Sequence, residues 1–238
     1  MSNGFPNKPK ILRGAFIEFG LSLPPLAVVF QFNPVQVTRN RSLSFTFPGA
    51  EDARHGSGPG AGSRRDLRAF HGQFDNLSAL QKKQLVTVQE ETIGFDIRLD
   101  ATDKLDDRDT ITEQFGIAPR LATLEQMVRP KAEGVISAAV DALLGKPKGF
   151  SFARSPNPPM VLFIFGRKRV LPVNITSMNI TETEFSTDLN PLRATVAVNL
   201  TVIEGKSVPY RYSKAMSEAM SLLNLANIAE IANVVVPG

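Results

Sequence analysis

From residue 158 to residue 204 the chain reads as strand: a run through Gly166, then a long stretch, broken only at Asp188-Leu189-Asn190-Pro191, that alternates apolar and polar side chains with a period of two, and such a period buries a single face only when the backbone is extended. Met160-Val161-Leu162-Phe163-Ile164-Phe165 is an almost continuous apolar run, the pattern of a strand covered on both faces. Val173 and Ile175 then alternate with Asn174 and Thr176, but at Ser177-Met178 the phase flips and Met178 and Ile180 take the apolar parity. One extra residue in the ladder, a β-bulge, keeps both halves facing one core. Asp188-Leu189-Asn190-Pro191 has turn chemistry, and Val196, Val198, Leu200 and Val202 return on one face, with Ala194 and Ala197 small enough for close approach. This stretch commits the chain to antiparallel sheet.

The rest of the sequence supplies partners for it. Residues 11–19 and 27–32 are expected as strands joined through Leu23-Pro24-Pro25, with Phe30 and Phe32 on one face. The alternation runs on through Val35 and Val37 to Leu43, Phe45 and Phe47, implying a half-buried sheet. Leu85-Val86-Thr87-Val88 leads into Ile93, Phe95, Ile97 and Leu99, which alternate with Gly94, Asp96, Arg98 and Asp100 in a clean period-two strand. Residues 103–115 and 119–128 read as helices. Pro119 suits a first turn, Leu121, Leu124 and Val128 share a face, and Pro130 stops the second. Val135, Ile136, Ala139, Val140, Leu143 and Leu144 mark a further amphipathic helix ended by Gly145 and Pro147. The expected fold class is α+β, mainly β: a sandwich or barrel with flanking helices and a C-terminal helix. Residues 1–205 form the β domain, with a mobile loop at 48–66 and a helical insertion at 102–147, and residues 206–238 form the helical extension.

Chemistry-bearing motifs are sparse. Gly56-Ser57-Gly58-Pro59-Gly60-Ala61 matches a loose dinucleotide fingerprint, but no strand feeds it and no helix opens from it, so a solvated loop is the reading. His55 and His71, the only two histidines, lie outside any metal-ligand spacing. Asp103, Asp106, Asp107 and Asp109 lack the glycine and terminal glutamate of a calcium loop, and helix-start or solvated-face roles account for them. No enzyme, metal or cofactor is expected. With no cysteine among 238 residues, disulfides and thiolate sites are excluded. The net charge of +4 comes from 27 bases against 23 acids spread along the chain, and no tryptophan offers a stacking platform, so nucleic acid is not the expected partner. No stretch has the roughly 18 apolar residues of a membrane helix, so no membrane partner is expected. The first ten residues lack a secretory h-region, and synthesis in the cytoplasm is expected.

After residue 212 the polar residues Glu218, Ser221, Asn224, Asn227, Glu230 and Asn233 recur at every third position. At 3.6 residues per turn that stripe winds around the axis, which describes either a helix contacted on different sides along its length or one broken near 224–227. Met216, Met220 and Leu223 are its candidate anchors, as partner contacts or as ordinary core.

Five segments together carry a resemblance: Phe30-Gln31-Phe32-Asn33-Pro34, Phe95 through Asp100, Gly116-Ile117-Ala118-Pro119-Arg120-Leu121-Ala122-Thr123-Leu124-Glu125, Pro158 through Gly166, and Pro191-Leu192-Arg193-Ala194-Thr195-Val196. In this order and spacing the sequence resembles the tube-related baseplate proteins of contractile injection systems and phage-like tails, which join the inner tube to the spike. The resemblance implies a tail-tube-like fold and a hexameric ring made by edge-to-edge strand pairing. It implies as partners further copies of the chain, the inner tube protein, the spike or hub protein and other baseplate subunits, and incorporation into an injection-system particle. Such proteins often continue into a LysM module, and no LysM pattern follows Glu204, so wall binding is not carried over. On this reading Asp188, Asn190, Pro191 and Arg193 at the hairpin tip, Arg64 and Arg65 in the glycine-rich loop, and Met216, Met220 and Leu223 are the interface candidates. The alternative is a β-barrel module that takes nucleic acid or a small ligand through a positive patch at Arg54, Arg64, Arg65 and Arg68.

Overall fold

The structure is a computed structural model that describes residues 12–20, 26–48, 66–130 and 157–224. The expected helix over 135–144 and the glycine-rich loop lie outside these residues. The chain divides into two units, the first made of Met1–Thr38 with Thr92–Gly238 and the second of Arg39–Glu91. The fold is mainly β, with a large antiparallel sheet, flanking helices and a C-terminal helix.

Nine strands are described: β1 (Ala15–Glu18), β2 (Ala27–Val29), β3 (Val37–Asn40), β4 (Leu43–Thr46), β5 (Leu85–Val88), β6 (Thr92–Asp100), β7 (Val161–Ile164), β8 (Val170–Phe185) and β9 (Pro191–Val202). Seven of them form one sheet in the order β2-β1-β7-β8-β9-β6-β3. The β6/β9 register explains why both strands alternate: Ile93, Phe95, Ile97 and Leu99 lie opposite Leu200, Val198, Val196 and Ala194, and all eight are buried. The β8/β9 register shifts between Ile175 and Ser177, where the phase flip places the bulge. Asn199 holds it from the neighbouring strand: its carbonyl accepts from Thr176 Oγ1 at 3.0 Å and its side-chain amide donates to Ser177 Oγ at 2.8 Å.

The sheet curls strongly. Three strand spacings separate β7 from β6, about 14 Å in a flat sheet, yet the rings of Phe163 and Phe95 stack with centroids 5.1 Å apart. Phe30, just beyond β2 at the far end of the order, lies 5.7 Å from Phe95, and Phe16 of β1 lies 6.0 Å from it. The four rings form the centre of a barrel-like core. Helix α5 (Ala118–Val128) contacts β2 and β8 and buries Leu121, Leu124 and Met127 in the same core. Met127, not Val128, continues the buried stripe. Of the other helices in this unit, α3 (Thr102–Asp106) and α4 (Thr110–Phe115) replace the single helix expected over 103–115. Asp109 divides them by capping α4, accepting from Thr112 N at 3.2 Å and from its hydroxyl, while Arg108 takes a positive φ of 56°.

Several sequence expectations are corrected. Strand β2 ends at Val29, so Phe30 is fully buried while Phe32 is 45% exposed, and the two do not share a face. Side chains anchor the bend to distant parts of the unit: Gln31 Oε1 accepts from Asp100 N at 3.0 Å and from Arg120 Nη1 at 2.8 Å, and Asn33 bridges Gly14 N and Leu12 O. Strand β7 buries Val161 and Phe163 but leaves Leu162 and Ile164 half-buried, so it is covered fully on one face only. Among the described residues strand β4 pairs with β5 alone, and Leu43 and Phe45 remain about half exposed where a half-buried sheet is expected.

The second unit holds the β4–β5 ladder and the helices α1 (Leu67–His71) and α2 (Leu77–Lys83). Asp66 and Asn76 cap the helices through their side chains, and Phe47, Phe70 and Phe74 form a small aromatic cluster with centroids 5.1 Å apart at each step. Back in the first unit, α6 (Val208–Asn224) packs on β8. Among the described residues no helix is long and apolar enough to cross a membrane.

Candidate functional site

The long β8–β9 hairpin is the dominant exposed feature of the first unit. Strand β8 runs over 16 residues, but β7 pairs only with Val170–Val173. Among the described residues, the edge of β8 from Asn174 to Phe185 that faces away from β9 therefore has no strand partner. Met178 and Ile180 lean on the core, whereas Asn179 and Thr181 through Phe185 are exposed. Unpaired ladder groups of this length are a template for another strand.

The hairpin tip is tied to its own unit. Ser186 N donates to Asn190 O at 2.9 Å, and the Ser186 hydroxyl accepts from the amides of Asp188 and Asn190. Leu189 turns the chain with a φ of 61°. Asn190 Nδ2 donates to Gln114 O at 2.8 Å, and Pro191 O accepts from Ile117 N at 2.9 Å. Gly116, at a φ of 56°, makes this approach possible, because a Cβ there would lie 2.2 Å from Pro191 O. Arg193 Nε and Nη1 reach Asp100 Oδ2 at 2.6 Å and Glu184 Oε1 at 2.7 Å, tying β6, β8 and β9 together. Burial alone would push the Asp100 carboxyl up, but hydrogen bonds from Thr102 and Arg193 outweigh it and hold the group below the usual carboxylate range. Of the predicted tip residues, Asn190, Pro191 and Arg193 thus make internal contacts, while Asp188 and Leu189 form the exposed point, Leu189 at 79%.

The anchors predicted on α6 separate. Met216 and Met220 are half-buried, Met220 Sδ lying 3.1 Å from Lys168 Nζ, and Leu223 is exposed. The residue that seats the helix is Ser213, whose hydroxyl accepts from Val170 N at 2.9 Å and donates to Val170 O at 2.7 Å. Apolar periodicity could not have found it, since the signal is a serine on the buried side of an amphipathic helix. Arg64, Arg65 and Arg54 lie outside the described residues.

In the second unit Glu91 is buried and receives Arg39 Nε and Arg41 Nη2 on its two oxygens. Burial raises its carboxyl, but the two guanidinium hydrogen bonds prevail and keep it below its ordinary value. His71 faces the side-chain amide of Gln84 at 3.1 Å. An open groove of about 680 Å³ lies over β6 and β9 and is lined among others by Gln36, Asp96, Arg98 and Asn199. Among the described residues no group of three or more His, Cys, Asp or Glu side chains could hold a metal ion.

With this geometry in hand, comparison with known proteins identifies no relative: no protein-family model matches the chain, and no curated protein matches it either.

Proposed function

We propose that this chain is a structural adaptor of a contractile injection system, a ring-forming baseplate protein that joins the inner tube to the spike hub. The observation that supports the reading is the open edge of β8 from Asn174 to Phe185 on a strongly curled antiparallel sheet. A head-to-tail ring needs two different edges on each copy, and the terminal strands β2 and β3 of the same sheet offer the second. Pairing each edge with a neighbour removes the exposed ladder groups and builds a continuous wall. In that arrangement the work is done by interface area, with inner tube, spike and other baseplate subunits stacked on the two faces of the ring.

Light scattering on the purified chain, alone and mixed with inner tube and spike proteins of contractile injection systems, tests the reading. The expected result is a hexameric ring or a defined co-complex. The double variant Asn179→Lys, Thr181→Lys, which puts charge on exposed positions of the open strand, is expected to keep the fold and lose the assembly. A monomer that ignores both partners refutes the adaptor role.

A further inference from the structure

Helix α6 carries two apolar seams: one packs on the sheet, and the second touches its own unit through the Tyr212 hydroxyl, which donates to Arg167 O in the β7–β8 turn at 2.9 Å. Pro209, Ser213, Met216 and Met220 form the docked seam, each at least half-buried. Val208, Tyr212, Ala215, Ala219 and Leu222 form the second, in steps of four, three, four and three residues. At 3.6 residues per turn these five fall within about 80° of one another. All are exposed: Val208 at 79%, Tyr212 at 46%, Leu222 at 67%, and both alanines. A four-three spacing sustained over about 21 Å of helix is the spacing of a coiled-coil seam rather than of a solvated face.

We infer that this seam pairs with the same seam of a second copy, antiparallel, about a twofold axis at Ala215. Side-chain size supports the choice of occupant. Turning one helix end over end about Ala215 sets Val208 level with the partner's Leu222, Tyr212 within one residue's rise of the partner's Ala219, and alanine on alanine at the centre, where two backbones can approach closely. Charge supports the orientation. Arg211 and Glu218 are one heptad apart on the flank that faces away from the sheet, and an antiparallel twofold keeps that flank against its own copy, so each Arg211 meets the partner's Glu218. A parallel pair would instead turn this charged flank onto the partner's Met216 and Met220, which are engaged with their own sheet. A single helix pair sits at the small end of specific interfaces, so the association is concentration-dependent unless other contacts add to it. The pairing does not depend on the ring proposed above.

The chain contains no cysteine, which makes disulfide mapping unambiguous. Ala215→Cys under mild oxidation is expected to double in mass on non-reducing gels, and Tyr212→Cys mixed with Ala219→Cys is expected to give a dimer that neither gives alone. Lys214→Cys, about 120° around the helix from the seam and beyond the Arg211 and Glu218 flank, serves as the unlinked control. Self-linking of Tyr212→Cys alone and of Ala219→Cys alone, whether or not Ala215→Cys links, overturns the antiparallel register, because a parallel pair sets each of these positions against its own copy. Absence of any dimer, with the Ala215→Cys thiol either protected from maleimide or freely labelled, overturns the pairing itself. Light scattering on the same samples separates this inference from the adaptor reading: a ring without the Ala215→Cys link leaves the ring and removes the seam, and a link without a ring does the reverse.

Discussion

Replacing Gly116 by alanine tests how firmly the hairpin tip is built into the first unit. Gly116 ends α4 with a φ of 56° and a ψ of −130°, a conformation that essentially only glycine adopts, so alanine costs about 1–3 kcal/mol in backbone strain. The added Cβ would also stand 2.2 Å from Pro191 O and 3.1 Å from Pro191 C, and these are backbone atoms that cannot swing aside. Relief requires the α4–α5 corner to move off the hairpin, which breaks Ile117 N to Pro191 O and Asn190 Nδ2 to Gln114 O. Two hydrogen bonds contribute about 0.5–1.5 kcal/mol each. A central total is about 4 kcal/mol, which for a unit of this size lowers Tm by about 8–16 °C. Gly205→Ala is the control, because a Cβ there meets nothing within 4 Å and its φ is ordinary. Thermal unfolding followed by circular dichroism, with hydrogen exchange read at the Ile117 amide, measures both. A Gly116→Ala protein that melts within about 2 °C of the control, with the Ile117 amide still protected, would refute the reasoning.

Acid should loosen the second unit through Glu91. Its carboxyl titrates below its unfolded value in the folded state, so the ion pairs with Arg39 and Arg41 contribute stability at neutral pH that disappears as pH falls through the folded pKa. Protection of the β4 and β5 amides, taken relative to the intrinsic exchange rate at each pH, is therefore expected to fall below about pH 4 in the wild type. Glu91→Gln should remove most of that pH dependence, and an unchanged profile in the variant would exclude Glu91 as its origin. Ser213→Ala leaves the Val170 amide and carbonyl without their side-chain partner, at a cost of about 1–3 kcal/mol. Exchange across α6 is expected to rise while the Ile97 and Val196 amides stay protected. Phe163→Ala empties the centre of the ring cluster and should cost about 3–5 kcal/mol in denaturant unfolding, with equal effect on probes in β1 and β9.

The strands whose side chains alternate were legible in the sequence because alternation is local. Ile93 to Leu99, Val196 to Val202 and the bulge at Ser177 follow from a two-residue period and one change of phase. The same locality explains the errors. Leu43 through Phe47 alternates as a core strand does, yet among the described residues β4 pairs only with β5 and Leu43 and Phe45 stay about half exposed, since a period reports that one face is apolar and not that anything covers it. The bend after Val29 could not be read either, because the hydrogen bonds that hold it come from Gln31 and Asn33 to residues far along the chain, Asp100 and Arg120 among them. Of the predicted tip residues, Asp188 and Asn190 lie between the two strands while Pro191 opens β9 and Arg193 lies within it, and that Asn190, Pro191 and Arg193 are bound to α4, α5 and β6 was a matter of packing.

By itself, then, the sequence determined which segments extend, where their register slips and that the end of the described chain is helical, all consequences of near-neighbour geometry. Tertiary structure alone decided that the sheet curls until Phe95 reaches Phe163, that β8 outruns β7 and has an open edge among the described residues, and that one seam of α6 is docked by Ser213 while the other is exposed and tied back through Tyr212. Those three features depend on where strands of different lengths end relative to one another in space, and no local period encodes that.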